Sequence, residues 1–272
     1  MNPATPPLAQ RQDRVIARRR RDWNAAALQM LAVFAVVGAC AVHVGLFDAE
    51  RLADGGPAIA RLVGEMLPPD FANLRQWVRP LADTLAMSIA GTALAVALSL
   101  PLGFLAARNT SPHPLVYQAT RVLLNALRAI PELILGIVFV AAVGFGALPG
   151  VLALGLHSVG MIAKFFSEAI EHADDAPIEA ARAAGARPMQ VLLHGVLPQV
   201  MPQMADVAVY RWEYNFRAST VMGMVGAGGI GFELMGSLRI MQYQEVFAIL
   251  LVILAMVTLV DGLSARMRRR FK

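Results

Sequence analysis

Apolar runs dominate the chain, and polar segments separate them. Runs over residues 25–47, 84–107, 122–148, 151–170, 204–225 and 246–263 each approach or exceed the about 20 residues a helix needs to cross the hydrocarbon core of a bilayer. Backbone groups in lipid must bond within their own segment, so the pattern predicts an all-α, polytopic membrane protein with about six transmembrane helices. The stretch 48–80, rich in Pro, Gly and charge, reads as an external loop in which an amphipathic helix can lie on the surface. Residues 171–203 form a second polar interruption with its own helix signals. Pro177 suits a first helical turn, Glu179 sits near the positive end of that helix, and Gly185 can take the left-handed conformation that ends it. Pro188 starts a second short helix, which Leu197-Pro198 is expected to close. This is a rigid two-helix knob between apolar segments.

Charge fixes the orientation. Arg11, Arg14 and Arg18 to Arg21 precede the first run, and Arg266, Arg268, Arg269, Arg270 and Lys272 follow the last. Arg108 and Arg121 flank the second inner turn, while Arg182 and Arg187 lie in the third. By the positive-inside rule both termini are cytoplasmic, as six spans require, and the knob faces the cytoplasm. The expected organisation is a basic cytoplasmic tail over 1–24, disordered over its first ten residues, and a transmembrane domain over 25–272 with external loop 48–80 and cytoplasmic loop 171–203.

Composition agrees: mean hydropathy is +0.56, with 57% hydrophobic and 16% charged residues. The net charge of +5 reflects arginines at membrane edges and does not point to nucleic acid. Cys40 is the single cysteine, which excludes an internal disulfide and a cysteine metal cluster, and the five histidines have no ligand spacing; no metal site is expected. Lys164 and Lys272 are the only lysines and neither follows glycine, so no P-loop exists for ATP. No nucleophile, base and oxyanion constellation is visible, and no bond chemistry is expected of this chain.

The segment from Glu179-Ala180-Ala181 through Gly185 to Leu197-Pro198 resembles the EAA loop of ABC importer permeases, with Gly195 a departure where that family usually has an apolar branched residue. A second block, Tyr210-Arg211-Trp212-Glu213-Tyr214-Asn215-Phe216-Arg217-Ala218-Ser219-Thr220, followed by Gly226, Gly228, Gly229 and Gly231, is similar to the permease subunit of phosphonate importers. The resemblance covers most of the chain from Leu123 onward. It implies a type I importer (MetI-like) fold in a bacterial inner membrane, with Glu179, Ala180, Ala181, Gly185, Leu197 and Pro198 engaging an ATPase. It also implies as partners a second permease copy or a related permease, two cytoplasmic ATPases that bind ATP and Mg, and an external solute-binding protein. Alternating access then carries phosphonate, phosphite or phosphate inward; methionine or another small organic anion is the alternative within this class. An ion-coupled secondary transporter and a membrane oxidoreductase are the rivals outside it. The last would use Gly226, Gly228 and Gly231 as a G-x-G-x-x-G fingerprint, but that needs a preceding strand.

Charges inside spans are costly and should face protein or a watery path. At 100° per residue, Arg121, Asn125, Arg128 and Glu132 share one face of the third span, with Arg128 and Glu132 placed to neutralise each other. On the fourth span Lys164 and Glu168 form an expected structural pair. The fifth carries two stripes: Glu213, Arg217 and Thr220 on one face, Arg211, Asn215 and Ser219 roughly opposite. Either can line the path. Arg217, held by Glu213 and followed by Ser219 and Thr220, is the preferred anion contact; Asn125, Arg128, Arg211, Asn215 and the backbone of Gly226, Gly228 and Gly229 are the further candidates.

Overall fold

The computed structural model describes residues 8–270; Met1 to Pro7, most of the expected disordered tail, and Phe271 and Lys272 lie outside them. The described chain divides into two units, up to Gly64 and from Glu65 onward. In the first, α1 (Leu8–His43) carries the basic segment and the first apolar run as one helix, and α2 (Ala49–Met66), which reaches just past the boundary, has no buried residue. Its Leu52, Ile59, Val63 and Met66 line one face and Glu50, Asp54, Arg61 and Glu65 the opposite one, the amphipathic helix anticipated for the external loop.

The second unit is a helical bundle: α3 (Leu74–Ala106), α4 (Pro114–Ala129), α5 (Glu132–Val143), α6 (Ala147–Glu171), α7 (Asp175–Ala183), α8 (Pro188–Val191), α9 (Leu197–Met222), α10 (Ile230–Arg239) and α11 (Tyr243–Arg268). Among the described residues of both units four helices are long and apolar enough to cross a membrane, and the number rises to six if each of two bent pairs, α4 with α5 and α8–α9 with α10, is one span. No strand occurs among the described residues, so the glycine run lacks the strand a dinucleotide site requires.

α6 is the central post and packs along α3. Small residues set the spacing. A Cβ at Gly103 would fall 2.8 Å from Phe166 Cβ, and one at Gly91 3.1 Å from Leu154 Cβ, so these positions bring the two helices into close contact. Phe166, Ile162, Ile170 and Val159 fill the core at the end near α7 and α8, and Trp77 with Ile230 and Ile249 forms a separate cluster between α3, α10 and α11.

The third apolar run is not one helix. Pro131 has no N–H to give to Leu127, and the residue before a proline avoids the α region; Ile130 is extended (φ −92°, ψ 118°) and the chain bends by 86° between α4 and α5. This corrects the single polar stripe expected there: Glu132 opens a new helix pointing elsewhere, and no Arg128–Glu132 pair forms. Arg128 and Asn125 remain exposed on α4.

Candidate functional site

The knob is built by its caps. Asp174 Oδ1 accepts from Ala176 N at 3.0 Å to start α7. Gly185 at φ +80° ends it, with Ala186 N bonded to Ala181 O at 3.1 Å and Gly185 N to Arg182 O at 2.9 Å, the paired bonds of a Schellman stop. Gln190 Oε1 then accepts from Arg187 N at 2.8 Å to open α8 behind Pro188. Leu197-Pro198, however, does not close the second helix. A π-helical turn over Leu192–Val196, with Leu197 N bonded to Leu192 O, carries α8 into α9, and this wider turn accommodates the proline's missing donor. Gly195 is buried in that turn, and a Cβ there would meet Ile178 Cα at 3.4 Å; its small size lets α7 lie close. Gln199 closes the knob, accepting from Asp174 N at 2.9 Å and donating to Asp174 O at 3.2 Å and Gly195 O at 2.5 Å. At the base, Glu171 accepts from Arg108 N (2.9 Å) and Arg121 Nη2 (3.0 Å). The Arg108 guanidinium, outside the spans, is pushed above its ordinary pKa first by its hydrogen bond to the Tyr117 hydroxyl and then by charge on Tyr117 and Glu171.

Deep in the bundle, the stripe of Arg211, Asn215 and Ser219 faces inward, with 2%, 0% and 0% exposure. It meets hydroxyls of α3 and α6 in a directed chain. Arg211 Nε donates to Ser158 Oγ (2.8 Å), Ser158 to Asn215 Oδ1 (3.0 Å), Asn215 Nδ2 to Thr92 Oγ1 (2.9 Å), and Thr92 to Ser88 O (2.7 Å). Trp212 Nε1 donates to Ser88 Oγ at 3.2 Å. Ser88 and Ser158 stand near the middles of α3 and α6, so this polar layer crosses the bundle at mid-depth. Arg211 has no carboxylate partner: its guanidinium stacks on the Tyr214 ring (4.1 Å to the centroid), Nη1 meets Met161 Sδ at 3.5 Å, and Nη2 is buried without an acceptor. Beside it, Glu132 Oε1 accepts from Tyr214 Oη (2.7 Å), Glu132 Oε2 lies 3.0 Å from His157 Nε2, and His157 Nδ1 lies 3.1 Å from Ile130 O, a carbonyl freed by the α4–α5 break.

The opposite stripe of α9 faces α11. Arg217 Nη2 bonds Glu213 (2.6 Å) and Asp261 (2.8 Å), and Glu213 also accepts from Ser264 (3.0 Å) and Arg268 (3.1 Å). Thr220 Oγ1 bonds Arg217 O within the helix. The expected Lys164–Glu168 pair is present at 3.4 Å. At the glycine run, Gly226, Gly228 and Gly229 all have positive φ (103°, 74° and 73°). A Cβ at Gly229 would fall 2.5 Å from Thr84 Oγ1, the hydroxyl that accepts from Ile230 N at 2.9 Å. The run is thereby a packed turn pinned to α3.

Glu132 lies on the polar stripe expected of the third span but with partners other than Arg128, and the contacts of His157, Tyr214 and Gln199 come from segments distant in sequence. The hydroxyls at Thr84, Ser88 and Thr92 did carry a signal: a four-residue repeat on one face of an otherwise apolar helix.

A helical bundle with membrane-length apolar helices and a capped two-helix knob is the arrangement of the transmembrane subunit of an ATP-driven importer. The chain belongs to the family of binding-protein-dependent transport system inner membrane components, whose model matches residues 99–272; it is a transport subunit, with ATP hydrolysis carried by a separate subunit. It is 70% identical over 264 residues, 97% of this chain and 96% of the relative, to the phosphite transport system permease protein PtxC of Stutzerimonas stutzeri. It is 44% identical over 223 residues, 82% of this chain and 42% of the relative, to the phosphate-import permease protein PhnE of Mycolicibacterium smegmatis. Among solved structures it is similar to the MetNI methionine ABC transporter in an inward-facing conformation, with TM-score 0.63 and 25% identity over 72% of this chain and 96% of that one.

Proposed function

We propose that this chain is the permease of an ABC importer whose cargo is a small phosphorus oxyanion, phosphite foremost and phosphonate or phosphate next, moved inward by alternating access. The near full-length 70% identity to a phosphite permease carries this reading. Arg211, a buried cation without a carboxylate partner, supports it. The chain pairs with a second permease copy or a related permease. Two cytoplasmic ATPases, which bind the ATP and Mg, grip the knob at Glu179, Ala180, Ala181, Gly185, Leu197 and Pro198, and an external solute-binding protein delivers cargo. Both termini face the cytoplasm. Of the two stripes on α9, we assign the inner one to the path. A permease must release its cargo, so its contacts are few, and high affinity belongs to the binding protein.

The test is uptake by the complete importer reconstituted in vesicles with its binding protein, offered phosphite, methylphosphonate, phosphate and methionine in turn. ATP-dependent accumulation of the phosphorus oxyanions and not of methionine is expected. Uptake that survives a block of ATP hydrolysis but collapses with an uncoupler would overturn the proposal.

A further inference from the structure

Building on that substrate reading, we infer that the junction of α5, α6 and α9 is a cargo-oxyanion site in which the Glu132 carboxylate holds the cargo's place when cargo is absent. Tyr214 Oη of α9 and His157 Nε2 of α6 meet the Glu132 carboxylate, and the Arg211 guanidinium of α9 lies against the Tyr214 ring. Glu132 has two oxygens and each is taken, Oε1 by Tyr214 and Oε2 by His157. Arg211 Nη2 is left over, buried and without an acceptor, although its guanidinium lies against the Tyr214 ring. Phosphite and phosphonate present three oxygens where a carboxylate presents two. One such anion in place of Glu132 satisfies Tyr214 and His157 and gives the third oxygen to Nη2, completing a donor set that the resting structure leaves one acceptor short.

The position suits an exchange. Glu132 is the first residue of α5, just past the 86° break, so its side chain can leave with α5 while α4, α6 and α9 keep their helical bonds. Arg211 is buried at 2% exposure, while the side chains of Glu132 at 22% and His157 at 12% are partly open. By contrast, Arg217 is already bonded to two carboxylates.

The experiment is binding of sodium phosphite to the complete permease–ATPase complex, without the binding protein and with the ATPase sites filled by a non-hydrolysable ATP analogue, read by 31P line broadening. Arg211→Met is expected to weaken binding roughly ten- to hundredfold, the range for a hydrogen bond to a charged group, and Arg211→Lys by less. Glu132→Gln is expected to tighten it several-fold, because a neutral amide competes poorly for the donors. A cluster that is only structural predicts no such opposition: equal phosphite binding in wild type and Arg211→Met, or weaker binding in Glu132→Gln, overturns the inference. If Arg211→Met does not assemble, Arg211→Lys and Glu132→Gln carry the same opposed expectation. Wild-type importer that accumulates no phosphorus oxyanion would instead sink the substrate reading, which the uptake assay above decides separately.

Discussion

Gly185 offers a clean separation of backbone from side-chain effects. Its φ is +80°, and a Cβ built there meets nothing within 4 Å, so a substitution is penalised by conformation alone and not by crowding. Ala in the left-handed region costs about 1 kcal/mol, Asn less because its short polar side chain tolerates that region, and a β-branched Val about 2–3 kcal/mol. At 1.4 kcal/mol per factor of ten, a variant knob that relaxes out of this turn when free and must return to it on docking loses roughly fivefold in ATPase affinity for Ala and about 30- to 150-fold for Val. The assay is titration of the ATPase against Gly185→Asn, Gly185→Ala and Gly185→Val permeases in detergent, with cargo-stimulated ATP hydrolysis read in parallel. The expected order of affinity is Gly, Asn, Ala, Val. Asn is larger than Ala, so a ranking in which Ala surpasses Asn would show that bulk at the ATPase surface governs the effect, and uniform wild-type values would remove the knob from coupling altogether.

Thr84→Val deletes the acceptor of Ile230 N at a buried position and should lower the Tm in detergent by several degrees, from a loss of about 1–3 kcal/mol; Thr84→Ser should stay near wild type, and an unchanged Tm for the Val variant would refute the pinning of the glycine turn. In a Cys40→Ala background, a cysteine at Gly55 should react with an impermeant maleimide from outside intact cells and one at Ala186 should not; the reverse pattern overturns the orientation. Arg217→Gln should reduce transport by stranding Asp261, since Glu213 keeps Ser264 and Arg268, and adding Asp261→Asn should recover most of it. Uptake that stays lost in the assembled double variant would return Arg217 to the path.

The spans and the caps of the knob were legible because both depend on neighbours in sequence: apolar runs of sufficient length, Gly185 six residues after Glu179, and Pro188 three beyond. The pairing of Arg128 with Glu132 failed because wheel arithmetic assumes one unbroken helix, and the break at Ile130-Pro131 falls between the two residues. Pro198 misled in the opposite sense, since a π turn, which has no simple sequence sign, absorbed it. The two stripes of α9 were legible as stripes, but their directions were not. Which one is buried depends on Thr92 of α3 and Ser158 of α6, more than 100 and more than 50 residues away in sequence.

The unbroken helix from Pro188 into α9 acts as a push-rod. Over the roughly 50 Å from Pro188 to Met222 no sharp break intervenes, so a displacement imposed at the knob would be carried along the helix toward Arg211, as a stroke or as a turn about the rod's axis. The π turn at Leu192–Val196 is the coupling sleeve that sets its angle. Removing one residue there would rotate everything beyond it by about 100°, swinging Asn215 out of the bundle, and the phase between the knob and the inward stripe of α9 is therefore set by the length of a five-residue segment within the knob itself.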